Sequence, residues 1–277
     1  MPRVAVVGHV EWVEFARVPH VPTSGEIVHA SEWWQETGGG GAVAAVQLAK
    51  LAGGAEFFTA LGDDDLGRRA QARLGELGVT VHAAWRDEPQ RRGVVHLDGD
   101  GERTITILGE RIVPHGDDDL PWERLDEVDA VYFTGGDVGA LQHARRARKL
   151  VATPRAFETL RDARINLDAL VRSAHDPGEQ QAEQELDPAP DYVVSTAGKE
   201  GGTWVGENHT TGTWKAAELP GPKGDAYGAG DSFAAGLTYA LGAGMSIDEA
   251  VALASRAGAH KLAGRAVYDN QLTAAEL

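Results

Sequence analysis

The sequence predicts an α/β protein in which helices cover both faces of a mainly parallel sheet. Short apolar runs rich in β-branched residues recur along the chain and end at glycine or at polar turns, as buried strands do. Helical sequence follows most of these runs, and strands that alternate with helices form parallel βαβ units. A glycine-rich turn at residues 223–230 opens directly into a further helix with apolar residues on one face.

The predicted elements follow one another in a regular order. Strands are predicted where β-branched and aromatic residues cluster between turn residues, and Asp98-Gly99-Asp100-Gly101 indicates a hairpin. The predicted strands are residues 3–8, further strands within 8–27, 56–61, alternating runs within 79–108, 129–134, 150–153, 167–171 and 191–196. One helix is predicted after the glycine loop 37–41 and another ends near Gly78. A third is predicted to contain the basic residues Arg145, Arg146, Arg148 and Lys149. The remaining predicted helices lie within 179–187 and over 229–241 and 247–262.

Two of these helices carry start signals. Ser246 precedes the last helix with Glu249 three residues later, which is typical of a capping box. Three adjacent aspartates, Asp63, Asp64 and Asp65, precede the helix that ends near Gly78. They could bind a divalent metal, but a helix N-terminal cap explains them without one.

Size and composition restrict the class of protein. The 277 residues are enough for one large domain with a sizeable core, and the absence of cysteine excludes disulfides and thiolate metal sites. The formal charge of -16 disfavours nucleic acid or an anionic membrane as a partner, because binding to either depends on neutralising phosphate. No apolar run approaches the roughly 18 residues of a membrane span, and residues 1–8 lack a signal pattern, so we expect a soluble, cytoplasmic protein.

Residues 223–241, KGDAYGAGDSFAAGLTYAL, combine a sharp turn with the start of a helix. Gly224, Gly228 and Gly230 let the backbone turn sharply and approach a ligand closely. The helix points free N–H groups and the positive end of its dipole at the turn, which is typical of an anion site. Asp231 lies in the first turn, where it could act as a base beside the bound anion or could only stabilise the helix.

Residues 225–231, Asp-Ala-Tyr-Gly-Ala-Gly-Asp, resemble the Asp-Thr-x-Gly-Ala-Gly-Asp signature of the ribokinase-like (PfkB-type) sugar kinase family. Ala226 stands where Thr is usual. The resemblance implies a three-layer α/β/α sandwich with a mainly parallel central sheet. It further implies that residues 1–277 form a single domain, whose small β-sheet lid comes from about residues 10–35 and 90–110.

The same resemblance implies a reaction. The family transfers the γ-phosphoryl group of ATP to a hydroxyl of a sugar or a similar small molecule. By this resemblance Asp231 would be the base that takes the proton from the acceptor hydroxyl. The anion hole for the transferring group would be formed by Gly228, Ala229 and Gly230.

On the acceptor side, the resemblance extends to the turn Pro22-Thr23-Ser24-Gly25-Glu26 and to the glycine loop at 37–41. The residues implied to line the acceptor pocket are Gly39, Gly40 and Gly41, with Gly40 at the place of a usual lysine. A dinucleotide-binding loop is the competing interpretation, but it requires a strand immediately before the glycines, where Trp33-Trp34-Gln35-Glu36 stand.

Two polar groups that usually bind the sugar are replaced by valine. The usual aspartate falls on Val13 and the usual asparagine on Val43, so ribose is not expected to bind in the ordinary way. Glu11 lies two residues before Val13 and could supply a hydroxyl contact from the same face of a strand. The alternative is that Glu11 is an exposed strand residue.

On the nucleotide side, residues 196–201 resemble the family's Thr-x-Gly-x-x-Gly, which lies against the ribose and phosphates of the nucleotide. An ordinary strand–turn–strand is the alternative. The ATP contacts implied by the resemblance are Thr196, Gly198, Gly201, Asp225 and Ser255. No Gly-x-x-x-x-Gly-Lys-Ser/Thr occurs, which excludes a P-loop.

The resemblance also implies metal ions. The family's Asn-x-x-Glu, which handles the magnesium that accompanies the phosphates, falls on Ser173-Ala174-His175-Asp176. Only Asp176 is chemically similar, and it could hold a water of a hydrated magnesium ion. A monovalent cation such as potassium beside Asp225 is common in the family.

Two other functions fit the same sequence. Trp12, Trp33 and Trp34 lie near the expected lid and could stack on the ring of a nucleoside acceptor, or could pack in the core or a dimer interface. A sugar- or nucleotide-binding regulatory protein with weakened transfer would fit the departures at Val13, Val43, Ala226 and Ser173. We also expect a homodimer formed through the lid.

Overall fold

The computed structural model describes residues 1–179 and 185–277. Its strands are β1 (Val4–Val7), β2 (Glu11–Arg17), β3 (Glu32–Gly38), β4 (Ala55–Gly62), β5 (Val79–Arg86), β6 (Arg92–Leu97), β7 (Arg103–Leu108), β8 (Ala130–Phe133), β9 (Lys149–Ala152), β10 (Ala169–Ser173), β11 (Tyr192–Thr196), β12 (Gly202–Gly206) and β13 (Thr211–Trp214). Its α-helices are α1 (Gly40–Ala52), α2 (Asp65–Glu76), α3 (Val138–Ala144), α4 (Phe157–Ala163), α5 (Ala229–Gly242) and α6 (Ile247–Leu262). The polar helix expected within 179–187 lies mostly outside the described residues.

Nine of the described strands form the central sheet, in the order β13-β12-β11-β10-β9-β8-β1-β4-β5. The pairs from β5 to β11 are parallel, and β12 and β13 add an antiparallel edge. Parallel neighbours need long crossover connections, which helices supply here. The predicted mainly parallel sheet is therefore confirmed.

Strand β1 separates two apolar layers. Val4 and Val6 belong to the larger core, whereas Ala5 and Val7 belong to the smaller one, because successive side chains of a strand point to opposite faces. Helices α1, α2, α5 and α6 pack into the larger core, and α3 and α4 into the smaller. The three-layer α/β/α sandwich is confirmed.

A separate four-stranded sheet has the order β3-β2-β6-β7. Strand β3 leads into the glycine loop, so the expectation that no strand precedes these glycines is wrong, but β3 runs antiparallel to β2 in the small sheet and is not part of a parallel βαβ unit. Its β6–β7 hairpin turns at Asp98, whose Oδ1 accepts hydrogen bonds from the backbone N–H groups of Asp100 (3.0 Å) and Glu102 (2.9 Å). The tip of this hairpin touches the turn before α5, since Ala226 N donates to the carbonyl oxygen of Gly101 at 3.2 Å. The small sheet therefore contacts the turn that resembles the sugar kinase signature.

Both predicted helix caps are confirmed. Ser246 and Glu249 form the capping box of α6. At α2, Asp64 Oδ1 accepts from Gly67 N at 2.9 Å, and Asp63 forms an ion pair with Arg68. The three adjacent aspartates therefore serve the helix start, as the cap interpretation predicts.

The predicted basic helix is wrong in its position. Helix α3 ends at Ala144, and Arg145 is the residue that follows it. The guanidinium of Arg145 donates to the carbonyl oxygens of Ala147 (2.9 Å) and Arg148 (3.0 Å) and pairs with Asp168. These bonds hold the chain in a turn before Lys149 begins β9, and the sequence pattern gave no sign of them.

No helix in residues 1–179 and 185–277 combines the length and the apolar character needed to cross a membrane.

Candidate active site

The turn at residues 223–230 ends in the N-terminus of α5, as expected. Gly228 is the N-cap residue with φ 79°, a left-handed conformation that glycine adopts without strain. A Cβ at position 228 would lie 2.8 Å from Val43 Cγ1, whereas a Cβ at Gly230 would meet no atom within 4 Å. Among the described residues no side chain caps this helix. Ala229 N donates to the carbonyl oxygen of Ala226 at 3.5 Å, but the space beside Gly230 is open, so a ligand can approach this end of the helix from that side.

Asp231 faces the glycine loop that precedes α1. A Cβ at Gly40 would lie 2.8 Å from Asp231 Oδ1, so the absence of a side chain at position 40 leaves the room that the carboxylate occupies. Burial raises the pKa of Asp231, and the nearby charges of Arg103 and Arg155 act in the opposite direction. A carboxylate with a raised pKa accepts a proton from a hydroxyl more readily.

Tyr227 joins the signature turn to the glycine loop. Its hydroxyl oxygen accepts a hydrogen bond from Gly39 N at 2.9 Å, and its ring meets Phe15 of β2 edge-on with centroids 5.1 Å apart. The side chain is buried, and burial raises the pKa of its phenol. Sequence reasoning missed this residue because it occupies the unspecified position of the signature.

Glu11 at the start of β2 lies inside the site. It is only 7% exposed, so the exposed-strand alternative is wrong. Arg91 Nε lies 3.1 Å from Glu11 Oε1, and a Cβ at Gly39 would lie 3.2 Å from Glu11 Cγ. Burial raises the pKa of Glu11, while Arg91 and Arg111 lower it. Glu11 therefore lies against the glycine loop, where an acceptor hydroxyl is expected.

Asp225 is held by a buried lysine. Lys261 Nζ on α6 lies 3.2 Å from Asp225 Oδ1, and neither side chain exceeds 2% exposure. The same oxygen accepts a hydrogen bond from Tyr227 N at 3.0 Å. The Asp225–Lys261 pair therefore anchors the turn before α5 to α6. Burial lowers the pKa of Lys261, and the charge of Asp225 opposes that shift. The pairing joins residues 36 positions apart, and no local pattern indicates it.

The residues expected to bind the nucleotide already have partners in the chain. Thr196 Oγ1 donates to the carbonyl oxygen of Arg172 at 3.3 Å, and Ser255 Oγ accepts from Ala217 N at 2.9 Å. A Cβ at Gly201 would lie 2.0 Å from the carbonyl oxygen of Trp214 in β13. The close approach of this strand is enough to require glycine at position 201. Gly198 has φ 57° and open space around it, which leaves its backbone accessible to a ligand.

The predicted magnesium residue has an acidic neighbour. Asp176 and Glu179 both pair with Arg155, and Glu179 Oε2 accepts from Ser173 N at 2.7 Å. Glu179 also raises the pKa of Asp231 through its charge. Sequence reasoning missed Glu179 because it stands three residues beyond the altered motif.

The three tryptophans of the small sheet have different surroundings. Trp12 is buried beneath the guanidinium of Arg69, 4.3 Å from the ring centroid, and Trp34 stacks on Phe15 at 5.1 Å. Trp33 is 63% exposed. Trp12 and Trp34 thus pack within the protein, as the core-packing alternative predicts.

The chain resembles curated proteins over part of its length. It is 41% identical over 73 residues to a fructokinase of Vibrio alginolyticus, which covers 26% of this chain and 24% of that protein. It is 32% identical over 112 residues (39% and 30%) to a ribokinase of Arabidopsis thaliana. It is also 29% identical over 136 residues (48% and 46%) to an ATP-dependent ribose-1-phosphate kinase of Halopiger xanaduensis. Each match spans less than half of the relative.

Solved structures match along the whole chain. Ribokinase from Thermotoga maritima superposes with a TM-score of 0.79 at 22% identity, covering 100% of this chain and 98% of that one. Arabidopsis thaliana ribokinase, solved with ribose and ATP, gives 0.79 at 19% identity over 99% and 97% of the chains. At these identities the matches show that the fold is the ribokinase fold.

A family model matches most of the sequence. The model described as pfkB family carbohydrate kinase covers residues 1–187 and 164–273. The chain therefore belongs to the pfkB family of carbohydrate kinases.

Proposed function

We propose that the protein is an ATP-dependent kinase that transfers the γ-phosphoryl group of ATP to a hydroxyl of a sugar or sugar-like small molecule. The observation that carries this proposal is the approach of Asp231 to Gly40, so close that a Cβ at position 40 would lie 2.8 Å from Asp231 Oδ1, beside a helix N-terminus whose N-cap is glycine. Membership of the pfkB family supports it. The names of the relatives, fructokinase and ribokinase among them, support a sugar acceptor.

In the proposed reaction the acceptor hydroxyl lies between the Gly39–Gly41 loop and Asp231. Asp231 takes its proton, the oxygen attacks the γ-phosphorus of ATP, and the bond to the leaving ADP breaks. The backbone N–H groups of Gly228, Ala229, Gly230 and Asp231 stabilise the charge on the transferring group. Most of the rate would come from positioning and electrostatics.

Magnesium belongs to this proposal. The carboxylates of Asp176 and Glu179 are oxygen donors of the kind that magnesium accepts, directly or through its waters. Both carboxylates are shared with Arg155. Magnesium would neutralise charge on the phosphates. A potassium ion beside Asp225 remains a prediction, and the ammonium of Lys261 already supplies a positive charge to that carboxylate.

The two alternative functions have less support. A nucleoside acceptor was suggested by three tryptophans, of which Trp12 and Trp34 are engaged in packing. A regulatory binding protein was suggested by departures such as Val43, but Val43 packs against Gly228 and supports the turn at that position. The predicted cytoplasmic location and the lack of a nucleic-acid or membrane partner remain predictions.

A homodimer through the small sheet is also part of the proposal. Strand β7 exposes Ile105, Ile107 and Leu108 by 39 to 41%, and Trp33 is exposed at the opposite edge strand. Exposed apolar side chains on one small sheet are typical of a protein–protein contact. A second copy of the chain would cover them.

The proposed function is tested by acceptor-dependent release of ADP from ATP and magnesium, across a panel of sugars and nucleosides. We expect ADP release with at least one sugar and little without an acceptor. Binding of ATP and of a sugar without any turnover would contradict the kinase and support the regulatory alternative. Turnover with nucleosides alone would contradict the sugar acceptor.

A further inference from the structure

The turn before α5 meets the C-terminal end of α6 at Asp225. The backbone N–H of Gly224 donates to the carbonyl oxygen of Leu262, the last residue of α6, at 2.8 Å. The backbone N–H of Asp225 donates to the carbonyl oxygen of Gly264 at 3.0 Å. Carbonyl groups at the end of a helix carry the negative pole of its dipole. This meeting point, the Asp225 corner, therefore combines a buried carboxylate with the negative end of a helix, and it favours a cation.

The chain supplies that cation itself. Lys261 lies in the last turn of α6, and its Nζ is 3.2 Å from Asp225 Oδ1. The lysine side chain is 0% exposed and the aspartate side chain 2% exposed, so the protein encloses both groups. Burial lowers the pKa of Lys261, whereas the charges of Asp225 and Asp269 raise it. One tethered ammonium thus balances one buried carboxylate.

The potassium ion that the family resemblance implies beside Asp225 does not fit these surroundings. It would bring a second positive charge to a carboxylate that an ammonium already neutralises, and an unpaired buried charge is costly. The guanidinium of Arg103 also acts on Lys261 through its charge, so a further cation would face two positive groups. The backbone is closely packed as well, since a Cβ at Gly224 would lie 1.9 Å from the carbonyl oxygen of Gly264.

We propose that the ammonium of Lys261 takes the place of a monovalent cation at the Asp225 corner, and that the protein therefore works without potassium. The part of this inference that concerns turnover rests on the proposed function. Lys261 is a positioning residue. It holds Asp225, whose Oδ1 also accepts a hydrogen bond from Tyr227 N at 3.0 Å, and the residue after Tyr227 is the N-cap of α5. Because the lysine belongs to the chain, this support does not depend on the ions in solution.

A tethered cation differs from a bound ion in a way that can be measured. A dissolved ion that binds the folded protein stabilises it by mass action, so the melting temperature rises with the concentration of the ion. With a tethered cation, the melting temperature at fixed ionic strength is the same whichever cation is dissolved. If the lysine side chain is replaced by a small one, the Asp225 corner should accept a small dissolved cation in its place.

The test is thermal unfolding without ATP or acceptor, in potassium, ammonium or choline chloride at one ionic strength. Choline serves as a cation too large for the Asp225 corner. The proteins are the wild type, Lys261→Ala, Lys261→Met and the control Lys223→Ala, which removes an exposed lysine paired with Glu102 beside the same turn. Lys261→Ala removes the ammonium and leaves room for an ion, whereas Lys261→Met removes the ammonium and keeps most of the volume filled.

We expect the wild type and Lys223→Ala each to melt at the same temperature in all three salts. In choline chloride both Lys261 variants should melt below the wild type. Potassium and ammonium should raise the melting temperature of Lys261→Ala, by about 2–4 °C at several times the dissociation constant of the ion, and should leave Lys261→Met unchanged. Acceptor-dependent ADP release by the wild type should be equal in potassium and choline chloride.

Three results would overturn the proposal. The first is a wild type whose melting temperature or turnover is higher in potassium than in choline chloride. The second is a potassium-specific rise in Lys261→Met as large as that in Lys261→Ala. The third is a folded Lys261→Ala that gains nothing from either small cation. The wild-type comparison decides the matter if Lys261→Ala does not fold in any salt. Because the melting temperatures are measured without substrates, a failure of this inference is distinguishable from a failure of the kinase reaction.

Discussion

The N-termini of α2 and α5 have similar sequences but different local structures. Each follows a glycine-containing turn, and each has an aspartate in its first turn, Asp65 in α2 and Asp231 in α5. At α2, the preceding residue Asp64 accepts hydrogen bonds from Gly67 N (2.9 Å) and Gln90 N (2.8 Å). At α5, the N-cap is Gly228, which has no side chain to close the helix end.

The difference lies in what satisfies the first N–H groups of the helix. A side-chain cap satisfies them within the chain, whereas a glycine cap leaves them for an external anion. The carboxylates differ too, since the side chain of Asp65 is 85% exposed while burial raises the pKa of Asp231. A helix start with an aspartate is therefore a candidate site only when its own chain leaves it open.

The largest expected effect concerns the buried ion pair between Asp225 and Lys261, which anchors the turn before α5. Lys261→Met leaves Asp225 buried without its cation, and loss of one partner of a buried ion pair costs about 3–5 kcal/mol. We expect the free energy of unfolding, measured in urea, to fall by about that amount. The double variant Asp225→Asn/Lys261→Met should recover part of the loss, because no buried charge remains. Equal stability of Lys261→Met and wild type would contradict the buried pair.

The second effect concerns the glycine cap itself. Gly228→Ala places a Cβ in the left-handed region and against Val43, so we expect a loss of about 2 kcal/mol in urea unfolding. The control is Gly75→Ala in α2, where a Cβ meets no atom within 4 Å. That change should be neutral or stabilise by about 0.5–1 kcal/mol. Equal effects of the two changes would contradict the special conformation of Gly228.

The smallest expected effect concerns the N-terminus of α2, which is capped by Asp64. Asp64→Ala removes the cap of α2, which costs about 1 kcal/mol, and should leave acceptor-dependent ADP release largely unchanged because Asp64 is not among the residues proposed to contact the acceptor or ATP. Thermal or urea unfolding measures the first expectation and a turnover assay measures the second. A large loss of turnover without a matching loss of stability would reopen the metal interpretation of the three aspartates.

Much of the fold was predictable because its signals are local. The buried run at β1, the glycine turn before α5 and the capping box of α6 each depend on neighbouring residues, and the structure has all three. The approach of Gly40 to Asp231 agrees with the acceptor and phosphate sides that the family resemblance brings together. The roles of these residues in catalysis remain predictions.

The features that sequence reasoning missed depend on long-range contacts. Lys261 reaches Asp225 from another helix, and Tyr227 bonds to Gly39 across 188 positions. The basic residues around Arg145 predict a helix, yet Arg145 bonds to the carbonyl oxygens of Ala147 and Arg148 and holds a turn.

The comparison of the two helix starts is tested most directly by Asp231→Asn and Asp65→Asn, assayed side by side for acceptor-dependent ADP release. Each replaces a first-turn aspartate by its neutral isostere. We expect Asp231→Asn to lower turnover by about 10²- to 10⁴-fold, the range for loss of a general base, with sugar and ATP binding largely retained. Asp65→Asn should match the wild type. Near-wild-type turnover in Asp231→Asn would contradict the assignment of Asp231 as the base.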